Sequence, residues 1–211
     1  MIDVVLVDDQ ELIRAGLRML CESTEDIAVV AEARDGREAL STLSRTHADV
    51  VLMDLRMPRM NGTEATREIL ARWPAMRVVV LTTFDDDDHL FPALSAGACG
   101  FLIKDSSSGD LLTAIRLAAD GGSPFSPQTL RRIVDRAMST QSRAELPDTL
   151  TDREIDVLAA LGIGETNAEI AARLHLGLTT VKTHVASLLT KTDTTNRVQL
   201  AVLAVRCGLV T

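Results

Sequence analysis

Along the first 120 residues the apolar positions alternate between two periods. Unbroken apolar runs at 4–7, 27–31, 50–53, 78–81 and 101–103 have the length of strands buried on both faces. Between them the apolar residues fall at helical spacing: Leu12, Ile13, Leu17 and Leu20; Ala39, Leu40 and Leu43; Ala65, Ile69 and Leu70; Leu90, Ala93 and Leu94; Leu111, Leu112 and Ile115. Five strand–helix repeats of this kind predict a parallel sheet with helices on both faces and right-handed crossovers. The alternation stops at Gly121-Gly122-Ser123-Pro124, and a segment with Ser, Pro, Thr and Gln follows, with one short helix expected at 130–138. From Leu150 only the helical period remains, in stretches at 151–161, 167–174, 179–191 and 195–205. The expected architecture is α/β, a flavodoxin-like five-stranded sheet over 2–120, a linker over 121–145, and a small all-α four-helix domain over 146–211.

Strand ends matter most in such a sheet, because ligands bind beyond the carboxyl ends, where the strand order reverses. The third run, VVLMDLRMPRMNG, carries four apolar residues into Asp54 and then turns at Met57-Pro58 and Asn61-Gly62. The first run ends in Asp8-Asp9, the fourth in Thr82-Thr83 and the fifth in Lys104. With the strand order 2-1-3-4-5, the first and third strands are neighbours, and three carboxylates converge at one mouth. Two carboxylates about 4 Å apart repel by roughly 4 kcal/mol at an effective dielectric of 20, so such a cluster asks for a cation. Hard oxygen donors at a solvent-facing site favour Mg²⁺. Asp54 then suits attack on phosphorus, with Lys104 neutralising phosphoryl charge and the Thr82 hydroxyl donating to an oxygen.

Composition narrows the remaining choices. The 46% apolar content over 211 residues suffices for a buried core, and no apolar stretch is long enough to span a membrane. The N-terminus enters a strand directly, without a basic region and cleavage site, which predicts a cytoplasmic protein. Cys21, Cys99 and Cys207 are too scattered for a disulfide framework. The net charge is -8, with 12 basic against 21 acidic residues in 1–123 and 6 against 6 in 150–211, so bulk charge gives no support for nucleic-acid binding. The run Asp85 to Asp88 is read as negative charge opening the fourth helix, where it complements the helix dipole.

The set Asp8-Asp9, Asp54, Thr82 and Gly100-Phe101-Leu102-Ile103-Lys104 resembles the receiver domain of two-component response regulators. The resemblance implies that Asp54 accepts a phosphoryl group from a sensor histidine kinase. It implies Mg²⁺ held by Asp8, Asp9, Asp54 and the backbone carbonyl of Arg56. It also implies a switch in which Thr82 moves toward the phosphoryl group and Phe101 turns into the space left; relatives often carry Tyr at that position. A haloacid-dehalogenase-like phosphatase also uses a strand-end Asp with Mg²⁺, but places a second Asp two residues after the nucleophile on the first strand, a spacing that Asp8-Asp9-Gln10 lacks. The chain is therefore expected not to be an enzyme.

In the last 60 residues, Leu150-Thr151-x-Arg153-Glu154, Asn167-x-Glu169-Ile170-Ala171 and Thr180-Val181-Lys182-Thr183-His184-Val185 frame two helices around a tight bend at 175–178, a helix-turn-helix pattern. Together these resemble the LuxR/NarL-type DNA-binding domain. Membership implies that the second helix enters the major groove, with Thr179, Thr180, Lys182, Thr183, His184, Ser187 and Lys191 toward double-stranded DNA. It implies a homodimer built on the last helix through Leu200, Leu203 and Ala204, reading inverted half-sites. Gly177 and Leu178 stand where Ser and a polar residue are common, and Ala186 and Thr190 where relatives are often basic. With Lys182 and Lys191 as its only fixed cations, the helix predicts a shallow salt dependence.

Overall fold

The structure, a computed structural model, describes residues 1–82, 87–125, 129, 133 and 146–210, and of residues 87–89 only the backbone. The chain divides into two units, Met1–Phe125 and Ser126–Thr211. The first alternates β1 (Ile2–Val7), α1 (Glu11–Glu22), β2 (Ile27–Ala33), α2 (Gly36–Leu43), β3 (Val50–Asp54), α3 (Gly62–Arg72), β4 (Arg77–Thr82), α4 (Asp87–Ser95), β5 (Gly100–Ile103) and α5 (Ser108–Ala119). All five strands run parallel in the order β2-β1-β3-β4-β5. Each strand extends a residue or two past its apolar run, because the ladder hydrogen-bonds backbone whatever the side chain.

The unbroken apolar runs follow from burial on both faces. Val4, Leu6, Val50, Leu52, Val79 and Leu81 point to one side and pack with Cys21 of α1 and Leu111, Ala114 and Ile115 of α5. Val5, Val7, Val51, Met53 and Val78 point to the other and pack with Ala39, Leu40 and Leu43 of α2 and Ala65 and Ile69 of α3. Side chains alternate faces along a strand, so a strand sandwiched between helix layers must be apolar at every position. Asp35, Asn61 and Ser107 cap α2, α3 and α5 through side-chain bonds to backbone N–H groups.

After α5 the chain turns back along β5. The Phe101 N–H donates to Pro124 O at 2.9 Å, and Phe101 bridges Phe125 in parallel. A Cβ at Gly100 would lie 2.4 Å from Pro124 Cγ, so the close approach requires glycine. The helix expected at 130–138 lies outside the described residues except for Ile133, which is buried. Of the Asp85–Asp88 run, Asp85 and Asp86 also lie outside them, and α4 begins at Asp87.

The second unit contains α6 (Asp152–Gly162), α7 (Asn167–Leu174), α8 (Leu178–Lys191) and α9 (Arg197–Arg206). Capping boxes at Thr151/Glu154 and Thr166/Glu169 start α6 and α7. His175, at φ +53°, ends α7 in the left-handed conformation and makes the bend into α8. Val157, Leu158, Leu161, Ile170, Val181, Leu188, Leu200 and Ala204 form one core. A Cβ at Gly162 would lie 2.8 Å from Ala204 Cβ, a sign of how tightly α9 sits on α6.

Candidate acidic site and nucleic-acid interface

Three strand ends meet at the carboxyl edge of the sheet. Asp8 follows β1, Asp54 ends β3, and their carboxylate oxygens lie with one from Asp9 within 4.8 Å of each other. Asp8 and Asp54 are 1% and 4% exposed, whereas Asp9 is open to solvent. Lys104 reaches in from the end of β5, its Nζ 2.6 Å from Asp8 Oδ2 and 3.0 Å from Asp54 Oδ1. Asp8 Oδ2 accepts no aligned hydrogen bond, so that close approach is charge against charge. Burial pushes the Asp54 carboxyl above the usual carboxylate range, with the Asp8 charge adding to it and Lys104 only partly opposing. Burial works against the Lys104 ammonium too, but its two carboxylate partners outweigh it and raise the pKa.

Local backbone holds the cluster in place. The Asp8 N–H donates to Ala33 O, and Asp8 Oδ1 accepts from the Gln10 N–H at 2.9 Å. Arg14 of α1, 6% exposed, donates through Nη1 to the Asp8 carbonyl at 2.7 Å and pairs through Nε with Glu32 at 3.1 Å. The only trace of this anchor in the sequence is an Arg wedged between Ile13 and Leu17 on a half-apolar helix face. Beyond Asp54, the Gly62 N–H donates to Leu55 O at 3.0 Å. A Cβ at Gly62 would fall 2.0 Å from Asp54 O, so only glycine lets α3 start this close to the strand end. The loop between carries Arg59 at φ +66°, whose guanidinium pairs with the buried Asp35. Arg56, whose carbonyl was assigned to the metal, is exposed in the same loop.

Thr82 ends β4, buried, with its carbonyl accepting from the Lys104 N–H at 2.6 Å. Phe101 is 5% exposed within β5. The structure thus gathers Asp8, Asp9, Asp54 and Lys104 at one point and sets Thr82 on the adjacent strand end.

In the second unit, Thr179, Thr180, Lys182 and Thr183 are exposed on α8 and His184 is half-buried beside them. Gly177 caps α8 without a side-chain bond. Two of the residues assigned to DNA are otherwise engaged. Lys191 Nζ donates to Glu154 Oε1 and Oε2 at 2.9 and 2.8 Å and to Thr149 O at 3.0 Å, and the Ser187 hydroxyl donates to Glu154 Oε1 at 2.6 Å. All three ammonium donors are occupied, and Lys191 and Ser187 tie the end of α8 to the start of α6. Lys191 and Ser187 hold the Glu154 carboxyl at about 2. Leu200 and Ala204 are 0% exposed in the unit's own core, and only Leu203 of the three is partly open, beside Ala201, Val202 and Val205.

A parallel sheet with this acidic mouth, followed by a helix-turn-helix unit, defines a response regulator. Two family models match the chain, the response regulator receiver domain over residues 4–116 and the LuxR family of bacterial regulatory proteins over residues 148–204. The chain is 39% identical over 212 residues to the uncharacterized transcriptional regulatory protein YxjL of Bacillus subtilis, covering 99% of this chain and 97% of that protein. It is 38% identical over 210 residues to the transcriptional regulatory protein LiaR of the same organism, covering 100% of both. Among solved structures, response regulator ChrA of a heme-sensing two-component system matches with TM-score 0.53 and 33% identity over 99% of this chain and 98% of that one. A LuxR-family response regulator from Aurantimonas matches with TM-score 0.62 and 35% identity over 65% of this chain and 99% of its own. This chain belongs to the LuxR-type response regulators, DNA-binding proteins that regulate transcription. None of its described helices is long and apolar enough to cross a membrane.

Proposed function

We propose that this chain is a cytoplasmic protein, that Asp54 is its phosphoacceptor, and that phosphorylation of Asp54 by a sensor histidine kinase switches it to a dimeric, promoter-binding form. The reading rests on a receiver over 2–120, a linker over 121–145 and a DNA-binding unit over 146–211. The observation that carries it is the buried Asp54 carboxylate, held 3.0 Å from the Lys104 ammonium at the mouth of the sheet.

The residues present fit a divalent cation: three convergent carboxylates share one ammonium, and the buried Asp8 Oδ2 has no aligned donor. Mg²⁺ held by Asp8, Asp9, Asp54 and the Arg56 carbonyl would neutralise charge on the incoming phosphoryl oxygens. Asp54 supplies the attacking oxygen, and Lys104 leaves its contact with that carboxylate to pair with a phosphoryl oxygen. Thr82 donates its hydroxyl to the new dianion, and Phe101 follows into the vacated space. The P–N bond of the kinase's phosphohistidine breaks as the Asp54 O–P bond forms and the imidazole leaves. The product is a hydrolysable acyl phosphate on the protein's own side chain, so we read the domain as a reversible switch. Moving the population from 1:99 to 99:1 takes about 5.5 kcal/mol of preference for the active form. On the DNA side, Thr179, Thr180, Lys182 and Thr183 face the groove with His184 at its edge, and the partly exposed Val202, Leu203 and Val205 of α9 meet the partner subunit.

Size-exclusion chromatography with beryllofluoride and Mg²⁺ tests the switch. A shift from monomer to dimer in the wild type, absent in Asp54→Asn, is the expected result; identical elution of both proteins refutes it.

A further inference from the structure

The exposed face of α8 is unusually poor in hydrogen-bonding readers. Residues 178–191 contain no Arg, Asn, Gln, Asp or Glu, the side chains that make bidentate or accepting contacts with base edges. Of its four threonines, two have hydroxyl protons that are already committed. Thr183 Oγ1 donates to Thr179 O at 3.0 Å and Thr190 Oγ1 donates to Ala186 O at 3.2 Å, each back to the carbonyl four residues earlier. A hydroxyl has one proton to give, so neither has one left for guanine O6 or N7 or for thymine O4. What Thr183 and Thr190 keep for a partner is the γ-methyl and an oxygen that can only accept. Ala186 is exposed between them, and Leu178 stands 47% exposed in the first turn of the helix, where base contacts of a recognition helix concentrate. Positions 179, 183, 186 and 190 fall on one stripe of the helix, opposite the buried Val181 and Leu188.

We infer that α8 recognises its half-site chiefly through the C5-methyl groups of thymines, packed against Leu178, the Thr183 methyl and Ala186, with Lys182 as the one charged reader. Thymine is the only base with a methyl in the major groove, and apolar side chains are its natural partners. Leu178 and Ala186, which depart from the polar and basic residues common in relatives, are then specificity determinants: each exchanges a hydrogen-bonding group for an apolar surface. This inference rests on α8 being the DNA-reading helix.

The test begins with selection of duplexes from a randomised pool by the full-length protein with beryllofluoride and Mg²⁺. The selected half-site is expected to contain thymines at adjacent positions, and each is then replaced in turn by deoxyuridine, which deletes only the methyl. Binding should weaken about fourfold per contacted methyl, the equivalent of about 0.8 kcal/mol for one buried carbon. Leu178→Ala and Thr183→Ser should each lose the preference for dT over dU at one position, and Thr183→Val, which keeps the outward methyl, should restore it. Equal affinity for the dT and dU duplexes, or a selected half-site without thymine, overturns the inference, as does a Thr183→Ser protein that keeps the full preference. Lys182→Ala separates the two levels of failure. If it weakens dT and dU duplexes alike, α8 reads DNA whatever the methyl result; if it weakens neither, the assignment of α8 itself falls.

Discussion

Replacing Lys191 with Met removes an ammonium while leaving Glu154 buried at 4% exposure. Three contacts of 2.8 to 3.0 Å disappear, two of them to that carboxylate. Breaking a fully buried pair from one side costs about 3–5 kcal/mol. Here three donors remain on Glu154, the Ser187 hydroxyl and the Thr151 N–H and hydroxyl, and the lysine side chain is 31% exposed, so solvent already screens part of the pair. We expect a loss of about 2 kcal/mol, which in a unit of this size lowers its melting temperature by about 10 °C. Differential scanning calorimetry of the full chain at neutral pH should show the helical unit's transition moving and the receiver's staying in place. The pH dependence has a definite sign. The Glu154 carboxyl is depressed to about 2, chiefly by Lys191, so the pair's contribution is full above the ordinary value of about 4.3 and is lost as pH falls from there toward 2. The difference between wild type and Lys191→Met should therefore shrink through that window. An unchanged melting temperature, together with weaker operator binding and a smaller salt slope, would refute the reasoning and return Lys191 to the DNA surface.

Gly62→Ala puts a methyl 2.0 Å from the Asp54 carbonyl, and the strand end must move; urea denaturation should show a loss of about 3 kcal/mol, and a loss below about 1 would mean that α3 starts with more room than it shows. Arg14→Ala leaves the Asp8 carbonyl without its buried donor and should cost about 2 kcal/mol in the same assay, with Arg14→Lys recovering part of it. Lys182→Ala should weaken operator binding by about 1 kcal/mol or more in a gel-shift titration, because the exposed ammonium is the only lysine on the α8 face still free of an internal partner.

The sheet and its acidic mouth were legible because their physics is local and repetitive. Strands buried on two faces are apolar at every position, so Val50 to Met53 announces a strand, and the Met57-Pro58 and Asn61-Gly62 turn shows where Asp54 must sit. Orientation of amphipathic surface was less legible. Leu200, Leu203 and Ala204 share a helical face, but spacing does not say whether that face meets the unit's own α6 or another subunit; the α6 contact claims Leu200 and Ala204. Lys191 and Ser187 read as DNA contacts because a polar residue on a recognition helix looks the same whether its partner is a phosphate or Glu154, 37 positions away for Lys191. Pro124 and Phe125 have the composition of a linker, and only the backbone bond to Phe101 reveals that they lie along β5.

The central claim is covalent and can be weighed directly. Intact-mass spectrometry of the full chain after incubation with acetyl phosphate and Mg²⁺ should show a single phosphoryl adduct, lost in Asp54→Asn and on removal of the metal with a chelator. An unmodified wild type, or an adduct that persists in Asp54→Asn, would contradict the assignment of Asp54 as the side chain that receives the signal.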